Sequence, residues 1–357
     1  MALMETLSKE RKISHFDIAN TMREKLNTRE VQETFQNNAS VANVIEDFTP
    51  KIKNETPQPI LNIDSSPTPE RENGKARATF FAVIGEFGIL SPRDINPIGP
   101  FVTELITESR IHSQLRDHNM TNLEIKLLGK VKDLSESSSF FTSIDGSVAY
   151  LSKKYPSMVN NDDFDFPLQE AKTMVDIVEK IKPLGFVKHT EVNYSCQFID
   201  EVIKNSQQYL HEKELNDPLL KPGQVLYEIP KGISANILKP SVDAEYSEHY
   251  ARLLALLNSY RTVTYKPLNG SEVVRIEFHI SQVDDLPKII KSIDFDKRGS
   301  TVEPYCQFRS DTFAKHFAKV AEQLWMKKNN PYLGSDGNPL FPLPSRSARY
   351  KKSIGEY

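Results

Sequence analysis

Cysteine is scarce in this 357-residue sequence, which contains Cys196 and Cys306 and no others. Two cysteines cannot build a disulfide framework, and no signal-like apolar segment stands at the N-terminus, so a reducing compartment is indicated. Apolar runs long enough to cross a membrane are also missing. The sequence therefore predicts a soluble, cytoplasmic protein with no membrane partner.

An excess of positive charge is missing as well. The sequence contains 45 Lys and Arg residues against 48 Asp and Glu residues, which gives a formal net charge of -3. A protein that binds nucleic acid through its overall charge would have the opposite balance. Any polyanionic partner must therefore be bound by a local patch.

Several motifs that carry well-known chemistry are not found. The sequence contains no Walker loop, no GxGxxG, no CxxC and no HExxH. P-loop nucleotide hydrolases, dinucleotide-dependent oxidoreductases and zinc proteases are therefore disfavoured. The remaining option is a metal bound by oxygen ligands, because such a site is assembled from separate carboxylates and leaves no compact motif.

Composition divides the chain into four segments. Residues 1–50 are predicted to form an N-terminal helical segment, in which Ser14 stands at a position typical of a helix cap. Residues 51–77 are rich in proline, asparagine, serine and charge and predict a linker or mobile loop. Residues 78–326 have the apolar periodicity of a folded core, and residues 327–357 read as a Pro- and Gly-rich tail.

The order of elements within the core predicts an α/β fold. The run ATFFAVIGEFGIL predicts a buried strand, and FFTSID predicts a second strand that ends at Asp145. A helix follows over 168–181, which Pro183 ends, and a short strand comes next over 185–188. Strand, helix and strand in this order form a parallel unit.

Two further elements lie near the C-terminus. The stretch VVRIEFHI alternates apolar and polar residues and predicts a strand with Arg275 and Glu277 on the polar face. The stretch SDTFAKHFAKVAEQLWMKK predicts a helix that begins at Ser310 and carries Asp311 in its first turn.

The stretch IDGS around Asp145 has two interpretations. Asp-Gly is a common two-residue hairpin connection, which would give the carboxylate no chemical role. Alternatively, carboxylates at strand ends and helix starts bind Mg²⁺ or Mn²⁺ for phosphodiester hydrolysis. The candidate catalytic carboxylates are Glu86, Asp145, Glu277 and Asp311, and the candidate phosphate-binding cations are Lys188 and Arg275.

The order of short motifs resembles that of the NurA nucleases over roughly Ala78 to Leu324. The matching stretches are FFTSIDGSVAYL, GFVKHT, LLKPGQVLYEIP, TVTYKP, VVRIEFHI and EPYCQFRSDTFAKHF. The resemblance implies an RNase H-like mixed sheet flanked by helices and a homodimer that cuts DNA with Mn²⁺ or Mg²⁺. It also implies a HerA-type hexameric ATPase as partner in DNA end resection, a step of DNA repair.

Two departures from the NurA pattern concern the predicted site. Where the first Asp-Gly-Ser motif is expected, the sequence reads AVIGEFG, with Ile84 in place of the aspartate and Glu86 in place of the serine. Asp311 stands where the family has a histidine. The expected metal ligands are therefore Asp145, Glu86 and Asp311, with Glu277 as a further catalytic carboxylate and Lys188 and Arg275 contacting DNA.

Two other functions remain open at this level. Loss of the first aspartate is compatible with a catalytically degenerate dimeric scaffold or adaptor in a DNA-processing or antiviral defence complex. The absence of compact motifs is compatible with a viral or host structural protein without an active site.

Overall fold

The computed structural model describes residues 45–73, 76–92, 97–108, 112–135, 139–148, 168–187, 217–227, 247–269, 272–297 and 303–329. The described strands are β1 (Ile45–Asp47), β2 (Ile60–Pro67), β3 (Arg71–Asn73), β4 (Ala76–Phe87), β5 (Ile98–Glu108), β6 (Phe141–Asp145), β7 (Leu184–Val187), β8 (Gln224–Tyr227), β9 (Tyr260–Tyr265) and β10 (Val274–His279). The described helices are α1 (Thr49–Ile52), α2 (His112–Ser135), α3 (Leu168–Ile181), α4 (Ser247–Asn258), α5 (Leu286–Asp296) and α6 (Tyr305–Asn329), with a 3₁₀ turn at Ile280–Gln282.

The described strands form one mixed sheet in the order β1-β8-β9-β10-β7-β6-β2-β4-β3, and β5 pairs with β4. β6 runs parallel to both β2 and β7, and the other described pairs are antiparallel. The predicted α/β fold with a mixed sheet flanked by helices is confirmed. None of the described helices combines the length and the apolar character needed to cross a bilayer.

The two faces of the sheet bury two separate apolar clusters. One cluster contains Leu61 and Ile63 of β2 together with side chains of α2, α3 and α4. The other contains Ile60 of β2 together with side chains of α1, α5 and the start of α6. Because successive residues of a strand point to opposite faces, the sheet is covered by helices on both sides.

The predicted strand, helix and strand unit is present as β6, α3 and β7. Val175 and Val178 of α3 are buried, as their helical spacing predicted. Asp145 is the last residue of β6, which pairs in parallel with both neighbours. A two-residue hairpin would need an antiparallel strand beside β6, and both sides of β6 are occupied by parallel strands. The hairpin interpretation of Asp145 is therefore wrong.

The linker prediction for 51–77 is wrong where this segment forms strands. Residues 60–67 are β2, which lies inside the sheet between β6 and β4, and residues 71–73 are β3. Leu61 is fully buried. Prolines and charges on both sides dominated the average composition and concealed this short apolar run.

The predicted start of the last helix is also wrong. α6 begins at Tyr305, directly after Pro304, and not at Ser310. Proline is well tolerated at a helix start, because the amide hydrogen that it lacks would have no partner within the helix. The hydroxyl of Ser310 instead donates a hydrogen bond to the backbone oxygen of Gln307 inside the helix.

The predictions for the two ends of the chain lie almost entirely outside the described residues. Residues 1–44 and 330–357 are not among them. The described end of the predicted N-terminal helical segment contains β1 and the beginning of α1.

Candidate metal centre

Three aspartates lie together on one face of the sheet. Ligand oxygens of Asp64, Asp145 and Asp311 all lie within 4.8 Å of one another, and this is the one such group among the described residues. β2 and β6 are parallel, with Ile63 beside Ile144. The next residues along the two strands are Asp64 and Asp145, so their side chains project from the same face.

The third aspartate reaches this face from α6. Helix α6 packs against β2 and β4, and Asp311 in its second turn meets Asp64 of β2 and Asp145 of β6. Asp311 forms an ion pair with Lys315 one turn later, with Nζ 2.7 Å from Oδ2. The Lys315 side chain is 64% exposed, so its ammonium group stands at the open side of the cluster.

The orientation of Asp145 is set by Gln307 in the first turn of α6. The Gln307 side-chain amide donates a hydrogen bond to Asp145 Oδ1 and a second one, of 3.2 Å, to the backbone oxygen of Phe186 in β7. Both hydrogens of this buried amide therefore have acceptors. One oxygen of Asp145 is held by the glutamine, and the carboxylate plane is restricted.

The chemistry of this group suits a hard divalent cation. Mg²⁺ and Mn²⁺ prefer oxygen ligands, and a small number of carboxylates together with water is their usual protein environment. Without a cation, three carboxylates this close would repel one another, and burial of Asp64 to 9% exposure strengthens that repulsion. The residues present thus fit a divalent metal ion.

Asp64 was missed by the sequence analysis, although a signal for it was present. The stretch ILNIDSSP repeats the pattern of FTSIDGS, with isoleucine, aspartate, a small residue and serine in the same order. Asp64 lies directly opposite Ile84 in the antiparallel pairing of β2 and β4. The position where the NurA pattern predicts the first aspartate, Ile84, is thus the cross-strand neighbour of Asp64.

Glu86 lies on the same face as the cluster but belongs to a different interaction. It is paired across strands with Asn62 and forms an ion pair of 2.9 Å with Arg309 of α6. Burial raises the pKa of Glu86, and Arg309 partly opposes that rise. The structure thus places Glu86 beside a cation, outside the three-aspartate group.

Glu277 lies on the opposite face of the sheet from Asp145. It pairs with Gly185, which pairs with Ile144, whereas Asp145 pairs with Phe186. Neighbouring paired residues share a face, so Glu277 shares the face of Ile144. The sheet itself separates Glu277 from the aspartates.

The surroundings of Glu277 are those of a buried structural carboxylate. It is fully buried and accepts hydrogen bonds from the Ser147 hydroxyl, from the Val148 backbone amide at 2.7 Å and from Arg275 at 3.2 Å. Burial raises the pKa of Glu277, and the Arg275 guanidinium is the largest opposing influence. A Cβ atom at Gly185 would lie 2.9 Å from Glu277 Oε2, so glycine leaves room for this carboxylate.

Of the two predicted phosphate-binding cations, only Arg275 lies among the described residues, and it does not reach the cluster. Arg275 is 5% exposed and its guanidinium contacts Glu277 on the far face of the sheet. Lys188 lies outside the described residues. Near Asp311 in α6, Arg309 pairs with Glu86 and Lys315 pairs with Asp311.

The fold belongs to the class of α/β proteins with an RNase H-like mixed sheet, and comparison with solved structures gives a more specific likeness. NurA nuclease from Sulfolobus solfataricus is similar with a TM-score of 0.52 at 11% identity, over 90% of this chain and 98% of that one. A second NurA structure gives a TM-score of 0.53 at 10% identity, over 93% and 99%. A third, NurA with manganese, gives 0.52 at 9% identity, over 87% and 98%.

Overall sequence similarity does not reveal this likeness. No protein-family profile matches the chain, and no curated protein matches it. The resemblance inferred from motif order is therefore confirmed at the level of the fold: the chain has a divergent NurA-like fold.

Proposed function

We propose that the protein is a metal-dependent DNA nuclease that hydrolyses phosphodiester bonds at the Asp64, Asp145 and Asp311 group. The observation that carries the proposal is the convergence of these carboxylates within 4.8 Å on a NurA-like sheet. Two parallel strands and one helix supply the three side chains, and each element is anchored in a buried cluster. Such preorganisation is what a catalytic metal site requires.

Mn²⁺ or Mg²⁺ is the proposed cofactor. A bound ion would activate water and stabilise charge on the phosphate oxygens. Asp64 and Asp145 would hold it from the sheet and Asp311 from the helix. The manganese-containing NurA structure supports Mn²⁺ as the first ion to test.

The remaining side chains at the site would orient the substrate. Lys315 is an exposed cation that pairs with Asp311. Its ammonium group could also contact a phosphate oxygen of the substrate. Arg309 is held by Glu86 and lies over the rings of Tyr305 and Phe313, which restricts its guanidinium. DNA is the proposed substrate, because the similar structures include a named nuclease.

The degenerate scaffold is the weaker proposal. It was suggested because Ile84 replaced the first expected aspartate. Asp64 provides a carboxylate on the adjacent strand, directly across from Ile84. The feature that favoured a lost active site is thereby accounted for.

The proposal is tested by cleavage of labelled linear single- and double-stranded DNA. We expect products with Mn²⁺ or Mg²⁺ and none after the ion is removed with EDTA, because the proposed reaction needs the ion to lower the pKa of water and to stabilise charge on the phosphate oxygens. Calcium is a useful control, since it binds oxygen ligands with a longer and less regular geometry. Full-length protein that binds Mn²⁺ but yields no product under any of these conditions would favour the scaffold.

The assembly is a separate proposal, which rests on the resemblance to NurA nucleases. We expect a homodimer in solution and a larger complex once a HerA-type hexameric ATPase is added. Light scattering coupled to size-exclusion chromatography measures both masses. A monomer at micromolar concentration, together with no mass increase on adding the ATPase, would contradict the dimer and the partner while leaving the metal centre untouched.

A further inference from the structure

A chain of buried polar side chains lies directly beneath the three aspartates. The Ser143 hydroxyl donates to Asn62 Oδ1 at 2.7 Å, and Asn62 Nδ2 donates to the Ser310 hydroxyl oxygen at 2.6 Å. The Ser310 hydroxyl then donates to the backbone oxygen of Gln307 at 3.0 Å. Asn62, Ser143 and Ser310 are each fully buried.

Each member of this chain lies close in sequence to one of the aspartates. Asn62 precedes Asp64 by two residues in β2 and so points to the same face. Ser143 has the same relation to Asp145 in β6. Ser310 directly precedes Asp311 in α6. The three segments that supply the carboxylates are thus the three segments that these hydrogen bonds connect.

Backbone hydrogen bonds hold the strands to one another, but they do not hold helix α6 to the sheet. Strands β2 and β6 are already held in register by their ladder, with Asn62 beside Ser143. Helix α6 has no such ladder to the sheet, and apolar packing is tolerant of small sliding movements. The bond from Asn62 to Ser310 is directional, so it fixes the height of Asp311 relative to Asp64.

We propose that Asn62 is the positioning residue of the metal centre, and that it acts through Ser310 and Ser143. This inference rests on the proposed metal site. Groups behind the ligands commonly change metal affinity by about 10- to 100-fold, because ligands must be held close to their binding geometry. A purely structural role would change protein stability and leave metal affinity unaltered.

The test measures Mn²⁺ affinity without DNA, through the electron paramagnetic resonance signal of the free ion. We expect Asn62→Leu to weaken Mn²⁺ binding by about 10- to 100-fold. Ser310→Ala should have a larger effect than Ser143→Ala, because Ser310 lies on the helix, whereas Ser143 lies on a strand that the ladder already holds beside Asn62. If Asn62→Leu does not fold, the two serine variants, which each lose one oxygen atom, decide the question.

Thr68→Val is the matched control for loss of a buried hydrogen bond in the same region. The Thr68 hydroxyl accepts from the Phe80 amide at 3.1 Å, and the residue is 7% exposed. This variant should lose thermal stability and keep the wild-type Mn²⁺ affinity. Wild-type affinity in Asn62→Leu and Ser310→Ala, with stability lowered as in Thr68→Val, would overturn the inference. Wild-type protein that binds no Mn²⁺ would overturn the metal site itself, before any variant is compared.

Discussion

Replacing Asp145 by asparagine is expected to reduce metal-dependent DNA cleavage by at least about 100-fold, since loss of a ligand costs several kcal/mol of transition-state stabilisation. Asparagine keeps the volume of aspartate and still accepts the Gln307 hydrogen bond through its oxygen. Asp64→Asn should have an effect of the same order, because Asp64 is the buried member of the group. Initial rates at saturating Mn²⁺ measure both effects.

The same variants, which lower the cleavage rate, should not lower the stability of the metal-free protein. Removing one of three close carboxylates relieves like-charge repulsion, so the metal-free melting temperature should stay the same or rise. Asp176→Asn is the matched control, since Asp176 is exposed and pairs with Arg252 on the surface. That control should cut DNA at the wild-type rate. Wild-type cleavage by Asp145→Asn would remove the residue from the catalytic mechanism.

Replacing Glu277 by alanine is expected to lower the free energy of unfolding by about 3 to 5 kcal/mol. The substitution leaves the Arg275 guanidinium in a buried position without its carboxylate and removes an acceptor from Ser147 and Val148. Urea denaturation, followed by circular dichroism, measures the change. A loss below about 1 kcal/mol would mean that the carboxylate is not a major support of the fold.

A double variant separates the ion pair from the rest of this network. Replacing Arg275 by methionine and Glu277 by leucine removes both charges and keeps apolar volume. Buried ion pairs can often be exchanged for apolar side chains at little cost, so the double variant should be more stable than Glu277→Ala. An equal loss of unfolding free energy in the two proteins would instead mean that the hydrogen bonds that Glu277 accepts from Ser147 and Val148 contribute more to stability than the ion pair does.

Local patterns predicted the elements whose signal lies within one short stretch. The apolar spacing of 168–181 predicted α3, and alternation around Arg275 and Glu277 predicted β10. The position of Asp145 at a strand end was predicted in the same way. These features depend on the period of a helix or strand, which neighbouring residues in the chain define.

The strand β2 was not predicted, because the contacts that stabilise it come from distant parts of the chain. A short strand inside a sheet gains its stability from two neighbouring strands, and here these neighbours are β6 and β4. The surrounding prolines and polar residues made residues 51–77 resemble a linker by composition. Asp64 was not predicted as a site residue, because the strand that contains it was not predicted.

The sequence by itself determined which residues of each strand share a face, but not which faces of different strands coincide. Arg275 and Glu277 alternate with apolar residues in any register, whereas a shift of one residue in pairing would exchange the faces. The tertiary structure pairs Glu277 with Gly185 and Asp145 with Phe186, which places the two carboxylates on opposite sides of the sheet. Packing of α6 against β2 then brings Asp311 to Asp64 and Asp145. Register and helix packing depend on contacts between distant segments, so only the folded chain decides which carboxylates meet.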